Sequence, residues 1–326
     1  MPALIGGFGK EKKSCYSTLN LKSENEDMND LRKKLGSYLA GLIEADGSFA
    51  VHDKNSKARP YPPKIIIVFS LNDLPLVEKL FLLTKVGSIY KRENQGCVLW
   101  SLQNVDDVIK IINIINGFMR TPKIEALHRA IFWYKDNMNI DIQPLGLDTS
   151  TINSNAWLAG FSDGDANFSI AWAMDRKKKG VITSKRVQAF FRIELRQTYH
   201  REVSIEQGGV SYFDILDKIS RYFTVNLYSR SREQKDKIFY SFMVIAHGAN
   251  SHQKVIEYFD RYPLLSSKHL AYKDWKNVVE QIRLRDGKPL TPENVLEIQK
   301  IKYQFNKKRK IYDFSHLDLL DKKNFF

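Results

Sequence analysis

The sequence predicts an α+β protein of two pseudo-symmetric halves, each an antiparallel sheet backed by helices. Three observations carry this reading. One stretch occurs twice: Leu39 to Phe49 (Leu-Ala-Gly-Leu-Ile-Glu-Ala-Asp-Gly-Ser-Phe) matches Leu158 to Phe168 (Leu-Ala-Gly-Phe-Ser-Asp-Gly-Asp-Ala-Asn-Phe) position by position, with Asp165 standing 119 residues after Asp46. The elements behind each copy follow the same order, αββαββα. Strands in each half are consecutive and joined by turns, which gives antiparallel pairing with helices gathered on one face.

Residues 1–30 are polar and Gly-bearing without a clear period, and read as an extended arm. The first domain, 31–138, opens with a helix from Leu31 to Asp46. Ser48 to Asp53 alternates as a strand. A basic, Pro-rich turn holds Lys54, Lys57 and Arg59. Lys64 to Leu71 is a β-branched strand, and Leu74 to Lys85 has apolar residues at helical spacing. Ser88–Arg92 and Cys97–Leu102 form a hairpin around Asn94-Gln95-Gly96. Helices over Val105–Ile115 and Ile124–Tyr134 follow. A linker with Pro144, Gly146 and a Thr/Ser/Asn run occupies 139–153.

The second domain, 154–284, repeats this order. Its helix is Asn155–Asp165 and its first strand Asn167–Met174. The turn is more basic, with Lys177, Lys178 and Arg186 among its cations. Strands over Val187–Gln197, Asn226–Arg232 and Lys237–Ala246 surround a helix over Tyr212–Phe223. Helices Ser251–Tyr262 and Lys268–Ile282 close it. In the remaining segment, 285–326, Thr291 caps a helix over Pro292–Lys310 that ends in a basic run and reads as a solvated tail.

The repeated stretch has a specific physical content. Ser37, Gly41 and Ala45 lie four apart on one helix face, as do Ala156, Gly160 and Gly164. Small residues in such a row let two helix backbones approach closely, so the two helices are expected to pack together as the seam between halves. Asp46 and Asp165 then sit where each helix stops. A carboxylate there meets the negative end of the helix dipole, and two of them across a seam repel. A compensating charge is required, which hard divalent cations can supply. Glu44 and Asp163 lie two residues earlier, on another face, and read as peripheral.

Composition narrows the function classes. The chain carries a net charge of +14 with a pI near 9.5, which suits a polyanionic partner, either nucleic acid or an acidic membrane surface. No apolar run reaches the length of a membrane span, and the N-terminus lacks a signal-peptide core or the composition of a transit peptide. Cys15 and Cys97 have no metal spacing and form no disulfide framework. Strand alternation places Arg192, Glu194 and Arg196 on one face of their strand, and Tyr228, Arg230 and Arg232 likewise share a face of theirs. Such faces suit a DNA major groove, where Arg and Gln read base edges.

Both repeated stretches resemble the LAGLIDADG motif of the homing endonucleases and related intron maturases, in the single-chain, two-motif form. The resemblance runs from about Leu31 to about Ile282. It includes Gly87-Ser88-Ile89-Tyr90-Lys91-Arg92 and Tyr262-Pro263-Leu264-Leu265-Ser266-Ser267-Lys268. It implies a monomer that cuts both strands of a long pseudo-symmetric DNA site across the minor groove, leaving a staggered break. By that resemblance Asp46 and Asp165 bind Mg²⁺, with Mn²⁺ or Ca²⁺ able to take the same sites. The backbone carbonyls of Ala45 and Gly164 would assist.

Supporting Lys or Gln residues are expected on the sheets, with Lys64, Gln188 and Lys91 as candidates. Lys54, Lys57, Arg59, Arg92, Lys177, Lys178, Arg186, Arg192, Arg196, Arg230 and Arg232 are the candidate DNA contacts. Ala166 departs from the motif glycine. If a left-handed turn is needed there, a non-Gly residue costs about 1–2 kcal/mol. Two other readings stay open: a maturase that binds its intron RNA through a surface such as the basic tail, and a DNA-binding protein that has lost cleavage. An organellar, mitochondrial location follows from the resemblance alone, and no membrane partner is implied.

Overall fold

The computed structural model describes residues 11–322 apart from 54, 55, 58, 174–176, 179, 180, 183–185 and 236. The first half contains α1 (Glu11–Asp46), β1 (Gly47–Ala50), β2 (Lys64–Ser70), α2 (Leu74–Thr84), β3 (Ser88–Arg92), β4 (Cys97–Leu102), α3 (Val105–Ile115) and α4 (Ile124–Met138). The second contains α5 (Trp157–Asp165), β5 (Ala166–Ala173), the short pair β6 (Lys177–Lys178) and β7 (Val181–Ile182), β8 (Arg186–Arg196), α6 (Phe213–Tyr222), β9 (Leu227–Gln234), β10 (Lys237–Ala246), α7 (Ala249–Arg261) and α8 (Lys268–Leu284). A last helix, α9 (Pro292–Tyr303), follows.

The two sheets share one topology, β1-β2-β4-β3 and β5-β8-β10-β9, and every neighbouring pair is antiparallel. Each sheet turns one face to the helices. In β2 this face is Ile65, Ile67 and Phe69, all buried, while Val68 and Ser70 on the other face are exposed. A single core runs through both halves, with Trp100, Trp157, Trp275 and Tyr38 among its largest fully buried side chains.

The seam is the contact of α1 with α5. A Cβ built on Gly41 would run into the carbonyl oxygen of Trp157, and one on Gly160 into that of Tyr38. One on Gly164 would collide with the Ala45 side chain. Ala156 N donates to Ser37 Oγ at 3.2 Å at the upper end. The two small-residue faces therefore meet as their spacing requires.

Three expectations need correction. Residues 11–30 are not an extended arm: α1 is one helix from Glu11. The stretch from Glu11 to Asp30 has no Gly or Pro, and a helix already nucleated by the buried motif extends at little cost. The C-terminal segment is not a solvated tail. Helix α9 stops at Tyr303, Ile298, Ile301 and Phe305 are buried, and Arg309 pairs with Asp274 of α8. The segment then crosses to the first half, where Asn72 Nδ2 donates to Tyr312 Oη at 3.0 Å and Lys79 pairs with Asp321 at 2.7 Å. Ala166 does not adopt a left-handed turn. Its φ and ψ are −89° and 161°, so the strand begins there without strain.

The linker is fixed to the body. Asn116 bonds it twice, donating to Gln143 O at 2.7 Å and accepting from Leu145 N at 2.9 Å. Arg120 pairs with Asp148 at 2.7 Å.

Candidate active site

Asp46 and Asp165 end α1 and α5 side by side at the mouth of the seam. Close packing makes this possible: a Cβ on Gly164 would stand 3.0 Å from Asp46 Oδ2. Asp46 is exposed and Asp165 half-buried. Desolvation raises the Asp46 carboxyl to about 6; the nearby Asp165 charge adds to the rise, while Lys268 and Lys123 oppose it. Desolvation likewise raises Asp165 against the same two lysines. On one flank the seam opens into a cleft of about 640 Å³ lined by Asp46, Asp73, Gly164, Lys268 and the C-terminal segment.

Part of the compensating charge comes from the chain itself. Lys268 Nζ donates to Ser162 O at 3.0 Å and Gly164 O at 2.5 Å. Lys123 Nζ donates to Ile43 O at 3.1 Å and Gly47 O at 2.9 Å. Each ammonium thus caps the C-terminal carbonyls of one seam helix, where the dipole favours a cation. Burial lowers the pKa of both lysines, and the site carboxylates oppose the shift. Sequence reasoning missed this role. The signal was present in the segment ending at Lys268, which has a counterpart in Thr121-Pro122-Lys123 ahead of α4.

Glu44 and Asp163 hold those lysines in place. Glu44 is buried and accepts from Thr121 N at 2.6 Å, from Arg120 N at 3.0 Å, and from Trp157 Nε1 across the seam at 2.5 Å. Asp163 accepts from Leu265 N at 2.8 Å, from Ser266 Oγ at 2.5 Å, and from Tyr38 Oη across the seam at 2.7 Å. Each acid pins the backbone that leads into α4 or α8, and so positions Lys123 or Lys268. Burial raises the Glu44 carboxyl to about 7 against these hydrogen bonds.

The other candidate residues divide. Ala45 and Gly164 stand at the seam ends, although the Gly164 carbonyl already accepts from Lys268. Lys64 and Gln188 are not equivalent. Gly47 pairs with Ile67 and Ala166 with Ile193. Counted from those partners, Lys64 is three residues away, about 10 Å along the strand, and Gln188 five residues, about 17 Å. Both share the open sheet face, but they lie along it rather than at the carboxylates, and the Lys64 ammonium sits 5.6 Å from the Tyr61 ring centre. Lys91 pairs with buried Val98, so its register places it on the helix side of the sheet.

Arg92, paired with Cys97, is on the open face. Arg192, Arg196, Arg230 and Arg232 share the open face of the second sheet. Arg186 opens β8, and Lys177 and Lys178 form β6. Lys57 and Arg59 are exposed in the β1–β2 turn, and Lys54 lies outside the described residues.

The family model described as LAGLIDADG endonuclease matches this chain twice, over residues 39–133 and 158–279. The intron-encoded DNA endonuclease aI3 of Saccharomyces cerevisiae is 40% identical over 344 aligned positions, spanning 97% of this chain and 81% of that protein. The chain belongs to the LAGLIDADG endonuclease family.

Other relatives agree with that placement. The cox1 intron-2 37.2 kDa protein of Schizosaccharomyces pombe is 28% identical over 89% of this chain and 76% of its own length. The intron-encoded RNA maturase bI4 of S. cerevisiae is 28% identical over 65% of this chain, but only 30% of that protein. Among solved structures, the LAGLIDADG homing endonuclease I-GzeII in complex with its DNA target superposes with a TM-score of 0.59 at 19% identity, covering 84% of this chain and 99% of that one. That likeness shows the two-domain LAGLIDADG fold.

Proposed function

We propose that this protein is a site-specific homing endonuclease that makes a staggered double-strand break in a long pseudo-symmetric DNA site. The observation that carries the reading is the convergence of two carboxylates and two lysine ammoniums at the end of one helix seam, between two like-facing sheets. Each half supplies one carboxylate and one ammonium, which matches two strands of one duplex. Both sheets and both acids belong to one chain, which supports action as a monomer.

The residues fit divalent metal. Two partly desolvated carboxylates held beside one another favour a cation. Among the described residues no third His, Cys, Asp or Glu joins them, so phosphate oxygens and water would complete the ligand set, as Mg²⁺ prefers. Asp46 and Asp165 would hold the metal, and the bound ion would supply an activated water and charge stabilisation at the leaving oxygen. The lysines offer cationic charge to the phosphate undergoing attack. The long sheets would position the duplex through its grooves.

Cleavage of a randomised duplex library in Mg²⁺ and in Ca²⁺, with recovery of cut molecules, tests this reading. Cutting in Mg²⁺ at one long site supports it. Binding without cutting in any divalent ion contradicts it and favours a silent binder.

The relative bI4 keeps an RNA-binding reading in view, but the basic tail expected to serve it is docked on the body through Arg309. The intron names of the relatives support an organellar origin, and we place this protein's gene in a mitochondrial intron on that basis. No described helix is long and apolar enough to cross a membrane.

A further inference from the structure

The two open sheet faces are chemically unlike. In the first half the middle of the face is apolar: Ile66 and Val68 on β2, Leu99 on β4 and Tyr90 on β3, which the register places side by side. Val68 and Tyr90 are 43% and 49% exposed. The charged residues of that face, Lys64 and Arg92, stand at its two ends. In the second half the corresponding face sets Arg192, Arg196, Arg230 and Arg232 among Tyr228, Phe239, Met243 and Ile245, so arginines reach its middle as they do not in the first.

Glu194 organises two of these arginines. Its carboxylate accepts from Arg230 Nη1 at 3.3 Å, Arg232 Nη2 at 3.1 Å and Ser241 Oγ at 2.9 Å. Strand β9 is the sheet edge, and Glu194 lies two strands inward on β8. The guanidiniums are therefore drawn across β10 toward the middle of the face. Base edges would lie there; backbone phosphates run nearer the rim. Each guanidinium has five N–H donors, so the contact with Glu194 leaves most of them for a ligand.

We propose that the two sheets read different classes of base. The first sheet takes an A·T-rich half-site through apolar contact with thymine methyl groups. The second takes a guanine-bearing half-site through Arg230 and Arg232, with Glu194 as the positioning residue. The chemistry follows from the major groove, where thymine alone presents a methyl group and guanine alone presents the O6/N7 acceptor pair that an arginine fork fits. This inference rests on the nuclease reading above.

Selection of bound molecules from a randomised duplex library in Ca²⁺, followed by sequencing, tests it. The wild-type protein should recover sites with one A·T-rich half and one half with fixed guanines. Arg232→Lys keeps the charge and loses the fork; it should lower the preference for guanine at a discrete position by about tenfold or more, with a smaller effect on affinity for the whole pool. Glu194→Gln should broaden the preference at the same half. Val68→Ser should flatten thymine preference in the other half only. Recovered sites with the same base classes in both halves would overturn the inference alone. So would an Arg232→Lys protein that binds all sequences more weakly with its base preference intact, the mark of a phosphate contact. Recovery of no preferred duplex by the wild type would overturn the nuclease reading and the inference together.

Discussion

Tyr38 Oη lies 2.7 Å from Asp163 Oδ2, a bond that joins the first half's motif helix to the second half's motif acid. Its pseudo-symmetric counterpart is Trp157 Nε1 on Glu44 Oε2, which runs the opposite way across the seam. Both acceptors are buried. Loss of either donor leaves a buried carboxylate short of a partner, which costs about 1–3 kcal/mol. Tyr38→Phe is expected to destabilise the protein by that amount in denaturant titration, without a change in the unfolding slope.

Glycines separate close approach from bystander positions. Gly160→Ala would drive a methyl into the Tyr38 carbonyl, which is backbone and cannot swing aside. A loss of about 3 kcal/mol or more is expected, from overpacking that neither helix can relieve. Gly146 has no atom within 4 Å of the added Cβ, and Gly146→Ala should stay within about 0.5 kcal/mol. Thermal melts of the two variants read the contrast directly.

Lys123 and Lys268 cap the seam helices at the site, so removing one charge should slow the chemical step more than it weakens DNA binding. Lys268→Met and Lys123→Met are each expected to lower the single-turnover cleavage rate by about 10²–10³-fold, the scale set by loss of one preorganised charge-stabilising donor. A change confined to affinity would assign the lysines to docking alone.

The raised Asp46 pKa has a defined sign. Its folded value of about 6 lies above the ordinary value of 3.8, so the metal-free folded state carries a disfavoured carboxylate at neutral pH. Asp46→Asn should therefore raise the melting temperature at pH 7. The gain should shrink as pH falls from 6 toward 4, where the wild-type carboxyl takes up its proton. Metal binding must displace that same proton, so apparent metal affinity should fall as pH drops below about 6.

The C-terminal segment carries its own pH dependence. His269 of α8 stacks on His316 with ring centroids 4.0 Å apart, and burial, reinforced by the neighbouring imidazole, pushes His269 down to about 3. A depressed histidine contributes stability above its unfolded pKa near 6.5 and loses it as pH falls toward the folded value. Protection of the amides over residues 306–321, relative to their intrinsic exchange rates, should fall between pH 7 and pH 5, ahead of protection in α1 and α5.

Much of the fold was legible because its constraints are local. Small residues four apart specify a close helix contact, and β-branched alternation specifies strands. The positions of Asp46 and Asp165 follow from those two facts. Other features depend on pairing that spacing does not encode. Lys91 faces the helix side because its orientation is set by its partner Val98, which spacing alone does not reveal. How far Lys64 and Gln188 stand from the carboxylates is set by the pairing of β2 with β1 and of β8 with β5, which no spacing within one strand encodes. The capping lysines are far in sequence from the helices they cap, and only the return of α4 and α8 to the seam reveals them. The tail read as solvated because its anchors, Asp274, Asn72 and Lys79, lie on other elements.

The central claim is that Asp46 and Asp165 together form one metal-dependent centre for cutting both strands. Cleavage of the selected duplex by the wild type, Asp46→Asn and Asp165→Asn, in Mg²⁺ and with the metal chelated, tests it most directly. The account predicts double-strand cutting by the wild type in Mg²⁺ alone, and its loss in both variants while binding to the same duplex persists. Full double-strand cutting by Asp165→Asn would contradict it.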